Sequence, residues 1–216
     1  MSAYTDFLDF VMPHVPGAST AIVTHEIRNT VIDFCKRSLV LQRDHDPITV
    51  VKGTIDYDFE PPTGYLVVRV MKAWVEGREI DPVAPDYIQD PIFYNQSYAG
   101  AVKTLSSPLI YTQKDERSVS IYPFPDKTIS LGLTMRVALK PTVASTTCEN
   151  FILEDYAEVI AHGALFRLMA SPNKPYTEPT LAAAQSQMFE SGLNLARQSA
   201  ARGHVRANQQ VRLRSI

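Results

Sequence analysis

The sequence has little glycine, almost no cysteine and none of the short motifs that mark common enzymes. Nine glycines in 216 residues is about 4% of the chain against a usual share of roughly 7%, so loops that cradle phosphate groups are not a theme. Cys35 and Cys148 are the only cysteines, and neither sits in a CxxC or CxxH pair. That excludes a disulfide framework and leaves Cys35 as a small buried hydrophobe. No run approaches the ~18 consecutive apolar residues of a membrane span. The opening stretch, MSAYTDFLDFVMPHVPG, carries Asp6 and Asp9 where a secretory signal would carry bases. A soluble protein on the cytosolic side, with no membrane partner, is the expectation. GxSxG, HExxH, GxxxxGK[ST] and GxGxxG are all missing, so nothing positive points to nucleophilic, zinc or nucleotide chemistry.

What is present is an ordinary globular composition, 45% hydrophobic and 20% charged, long enough for one large domain or two small ones. The net charge of −2 hides an asymmetry. Glu190 is the last acid, and residues 191–216 hold Arg197, Arg202, Arg206, Arg212 and Arg214, a segment charge of +5. The preceding 190 residues hold 16 bases and 23 acids, or −7. A basic end on an acidic body suggests an anionic partner for that end, protein or nucleic acid, with a solvated, disordered terminus as the equal alternative. Its arginines lack interleaved aromatics, so sequence-specific nucleic-acid recognition is not expected.

Periodicity divides the chain. Tyr4 to Met12 reads as a short amphipathic helix closed by Pro13 and Pro16-Gly17. A second helix starts near Ser19 or Thr20 and runs to about Leu41, with Val23, Ile27, Val31, Phe34 and Cys35 on one face. From Asp46-Pro47 the pattern turns to strand, in ITVV at 48–51 and LVVRVM at 66–71. From Thr128 to Lys140 the odd positions Ile129, Leu131, Leu133, Met135, Val137 and Leu139 are all apolar. That alternation predicts one long strand of roughly 40 Å with a bulge or bend at Gly132. Such a strand outruns a small sheet, which suggests contact with a neighbouring subunit through Thr134 and Arg136. Between the strands, Pro82 to Pro108 has no period but carries Tyr87, Phe93, Tyr94 and Tyr98, a loop whose aromatics favour contact. The helical period returns at Leu153–Ala170 and again from Thr177–Pro179 to Arg202, with Gly203 as C-cap.

The economical architecture is α+β: a helical bundle formed by the N- and C-terminal helices with an inserted antiparallel β subdomain. Its parts are N-terminal helices over 1–45, a β subdomain with its long loop over 46–141, C-terminal helices over 142–203 and a basic tail over 204–216. Asp44, His45 and Asp46 include ligand types, but neighbours on an extended chain point to opposite faces and do not converge on one ion. Asp155, Glu158 and His162 share a helical face without matching ligands on a second helix, so a solvated face is favoured. No catalytic residue, cofactor or metal is expected.

Several strings, in this order, resemble a known family. They are IDFCKRSLVL, DPITVVKGTIDYDFEPPTGYLVVRVMKAWVEGREI, the YTQ…SVSIYPFPD segment, LGLTMRVALKPT, and GALFRLMA followed by a KPY turn and FESGLNLAR. Together they are similar to the head-to-tail adaptor, or tail tubular, proteins of short-tailed bacteriophages. The resemblance implies a structural virion protein at the head–tail junction, assembled in the host cytoplasm. It implies a ring, usually of twelve copies, that joins the portal protein to the tail nozzle protein and lets DNA pass non-specifically through its lumen. Arg202, Arg206, Arg212 and Arg214 would then dock on the portal, and Tyr87, Phe93, Tyr94, Tyr98, Thr134 and Arg136 would meet a neighbouring subunit or the nozzle. The alternative the resemblance leaves open is a tail-associated hydrolase acting on bacterial cell-surface polysaccharide or peptidoglycan.

Overall fold

A computed structural model describes residues 1–85 and 105–202. In chain order the elements begin with β1 (Ser2–Ala3), a 3-10 turn (Tyr4–Phe7), α1 (Leu8–Val11), a second 3-10 turn (Met12–His14) and α2 (Thr20–Ser38). Nine strands follow: β2 (Gln42–Val50), β3 (Asp56–Asp58), β4 (Tyr65–Val75), β5 (Arg78–Pro82), β6 (Leu105–Ser106), β7 (Ile110–Gln113), β8 (Ser118–Tyr122), β9 (Phe124–Pro125) and β10 (Ile129–Pro141). The chain continues with β11 (Thr147–Cys148), α3 (Asn150–Met169) and α4 (Pro179–Arg202). Two units result, one of residues 42–140 and one that combines 1–41 with the chain from 141 onward.

The expected antiparallel insert in a helical bundle is not what the chain builds. Its dominant element is a seven-stranded mixed sheet in the order β2-β10-β4-β5-β7-β8-β3, nearly barrel-like, with four α-helices among the described residues. The sheet is mixed because β5 runs parallel to β7, pairing Asp81 with Ile110 and Pro82 with Tyr111. A parallel neighbour needs a crossover rather than a hairpin. The sheet curls until its two terminal strands meet: the His45 ring of β2 lies edge-on to Phe59 at 5.4 Å, and the Tyr57 hydroxyl donates to the carbonyls of Val51 and Thr54. Val50, Val67, Val70, Ile80, Ile121 and Leu133 are buried in this unit.

In the other unit, Ser19 caps α2 by accepting the Ile22 amide at 3.4 Å. The helix stops at Ser38, short of the expected Leu41, because Leu39 adopts a left-handed conformation (φ 57°) and turns the chain toward β2. Pro179 opens α4 at its first helical position, as proline's missing N–H allows. Phe34 of α2 packs on Tyr156 of α3 with ring centroids 5.0 Å apart, and Ile27, Ile152, Ile160 and Leu168 are fully buried.

Candidate functional site

β10 is the long strand the alternation predicted, 13 residues from Ile129 to Pro141. Its pairing with β2 shifts register between Ile129 and Leu133 and again before Met135, a bulge centred on Gly132. A Cβ at Gly132 would stand 2.6 Å from the Ile129 side chain, so the close turn needs glycine there. The bulge flips Leu131 outward, 60% exposed, against the alternation that would bury it. Because β10 lies between β2 and β4, both of its edges are used. Any contact it makes with another chain is therefore made by side chains. Thr134 is half-buried and Arg136 exposed. The Arg136 guanidinium donates to both carboxylate oxygens of Asp44, through Nε at 2.7 Å and Nη2 at 3.2 Å. That charge-assisted hydrogen bond holds the Asp44 carboxyl below its ordinary range.

His45, next to Asp44, is fully engaged. Its Nδ1 lies 2.7 Å from the Asp46 carbonyl and its Nε2 3.0 Å from the Glu60 carbonyl, so each nitrogen faces a backbone oxygen. His162 Nδ1 is likewise taken, by Gln185 at 2.5 Å. Among the described residues no group of three His, Cys, Asp or Glu side chains is placed to hold a metal ion. Cys35 and Cys148 are both buried free thiols, and burial pushes Cys148 up to about 12. No described helix is long and apolar enough to cross a membrane.

An open cleft of about 750 Å³ lies where β5 leaves β4. Across it the Tyr111 hydroxyl donates to the Val70 carbonyl at 3.2 Å, and the Gln113 side-chain oxygen accepts the Val70 amide at 2.8 Å. Two side chains thus complete the backbone pairing that the short β5 does not supply. Burial pushes the Tyr111 phenol up to about 12, which keeps it protonated as that donor. Arg69, Lys114 and Glu116 rim the cleft.

Leu181, Met188, Phe189, Leu193 and Ala196 of α4 are all apolar. The structure splits them, with Phe189, Leu193 and Ala196 inside and Leu181 and Met188 exposed in line with Leu195. Leu181, Met188 and Leu195 recur every seven residues, but so do the buried Ala182, Phe189 and Ala196, so spacing alone does not tell the two rows apart. Arg202, the last residue of α4, is exposed. Tyr87, Phe93, Tyr94 and Tyr98, and Arg206, Arg212 and Arg214, lie outside the described residues.

Leu181, Met188 and Leu195 thus form an exposed apolar row on α4, the character of a contact surface. Residues 3–213 match the family model described as SU10 adaptor protein. The chain belongs to that family, one of phage head-to-tail adaptors, and the resemblance read from its strings is borne out. No curated protein matches it. It is accordingly a structural phage protein of the virion head–tail junction, where it contacts other virion components.

Proposed function

We propose that this adaptor closes into a ring of twelve copies between the portal protein and the tail nozzle protein, assembled in the host cytoplasm, and that DNA passes through its lumen. The observation that carries the reading is the family match over nearly the whole chain. Charge supports it. A conduit along which DNA slides works best without dense cations to capture phosphates, and the first 190 residues are net acidic at −7. The basic end, Arg202 with Arg206, Arg212 and Arg214, reaches acidic groups on the portal, where charge complementarity sets register. Thr134 and Arg136 of β10, and the aromatics Tyr87, Phe93, Tyr94 and Tyr98, supply side-chain contacts to the neighbouring copy or the nozzle. No observation among the described residues favours the hydrolase alternative.

Removing residues 204–216 separates docking from folding. The truncated protein is expected to keep the far-ultraviolet circular dichroism and melting curve of the full chain while joining portal-bearing, tail-less heads more weakly. Undiminished joining would refute portal docking by the basic end.

A further inference from the structure

Resting on the ring reading above, we propose that the outer row of α4 in one copy packs against the α1 segment of the next copy. Leu181, Met188 and Leu195 are 36%, 52% and 66% exposed, and Arg202 continues the row one heptad further. Seven residues fall just short of two full helical turns, so the four side chains form one nearly straight row along about 30 Å of helix. The inward row, with Phe189 and Leu193, lies on a different face, so the outer row is not the margin of the unit's own core. From Pro179 to Ala196 the only charged side chain is Glu190, and Arg37 holds both of its oxygens at 2.5 and 2.8 Å. From Leu181 to Leu195 the face thus offers phosphates no cation, whereas loss of charge around Leu and Met is the character of an interface core, with Arg202 at its edge.

Charge and position name the occupant. Residues 1–27 contain Asp6, Asp9 and Glu26 and no Lys or Arg. There α1 exposes Phe10, 43% accessible, beside exposed Asp9 and Asp6. Phe10 complements Met188 and Leu195, and the two aspartates complement Arg202. The two surfaces also lie on different flanks of the helical unit. On α2, Thr30 meets α4 where Gly163 and Phe189 converge, whereas Arg28 and Cys35 lie beside Tyr4, just ahead of α1. Arg28 and Thr30 are two positions apart, about 160° around the helix, and face away from each other. Two different, complementary surfaces on separate flanks make a heterologous contact that repeats from copy to copy, the kind of contact a ring requires. Arg202 then stands where the subunit contact passes into the basic end that reaches the portal.

Cysteine cross-linking tests this, because Cys35 and Cys148 are buried and the introduced thiols are the ones that react. The Phe10→Cys/Leu195→Cys double variant, joined to portal-bearing heads and treated with a short bis-maleimide, is expected to give a ladder of covalent oligomers, and each single variant only monomers. A second variant, Met188→Glu/Leu195→Glu, is expected to melt like the unsubstituted chain and to lose ring assembly. Dimers from Leu195→Cys alone would mean that α4 meets α4 across a twofold axis, which overturns the proposal. Rings that close by electron microscopy without a ladder, or with both glutamates in place, overturn it too while leaving the ring reading intact. Absence of rings from the unsubstituted protein on portal-bearing heads defeats the ring reading and the proposal with it.

Discussion

Gly163 and Gly192 show how much rests on single residues. A Cβ at Gly163 would stand 2.5 Å from the Thr30 side chain and 2.7 Å from the Phe189 ring, and one at Gly192 would stand 2.6 Å from Val159. These glycines let α3 and α4 approach closely, and they sit inside the GALFRLMA and FESGLNLAR strings that carried the family resemblance. Glycine in a helix interior costs stability relative to alanine unless such an approach requires it. Gly163→Ala therefore works against the usual helix preference. It is expected to destabilise the protein by about 1–3 kcal/mol through overpacking, seen as a lowered midpoint in urea unfolding with an unchanged m value. A midpoint equal to or above that of the natural chain would show that the helices have room to spare. The sequence displays both glycines but not their partners, since Thr30 is more than a hundred residues away from Gly163 and only the folded chain joins them.

At the scale of elements, helices were the more legible part. Helical spacing, the Ser19 cap and Pro179 at a first turn mark α2 and α4 directly, because those signals are local. The sheet was less legible for two reasons. β2 begins at Gln42 and crosses the polar QRDHD stretch, since an edge strand needs no buried alternation. The parallel pairing of β5 with β7 is a long-range contact with no local mark. Surface rows were hidden for a related reason: composition gives Leu181 and Phe189 the same weight, and only packing assigns one outward and the other inward.

Elements are also tied by charge. Arg37 of α2 bonds Glu190 of α4 and lies 3.5 Å from Asp33, which in turn lies 3.6 Å from Arg167 of α3. The Arg37 hydrogen bonds hold the Glu190 carboxyl below its ordinary value. A depressed folded-state value contributes stability that is present above the unfolded value near pH ~4.3 and is lost as pH falls through the folded one. The pair is largely solvent-exposed, so its worth is small, ~0.5 kcal/mol. Glu190→Gln is expected to lower the melting temperature slightly at pH 7, with the difference closing toward pH 3. A gap of equal size at both pH values would show that the side chain acts by packing rather than by charge.

For the whole molecule, the near-neutral net charge of −2 is the sum of unlike parts. The acidic body and basic end fit the ring proposed above. The family match places the chain at the head–tail junction, and the exposed apolar residues of α1 and α4 are the surfaces proposed to join its copies. Those outer surfaces were not legible from sequence because a monomer's pattern reports its own core first and its neighbours only through what remains exposed. Electron microscopy of the protein joined to portal-bearing heads measures the proposed ring directly. The expected result is a closed twelvefold ring beneath the portal with an axial opening wide enough for duplex DNA. Single copies scattered on the portal, or an assembly without an axial opening, would contradict it.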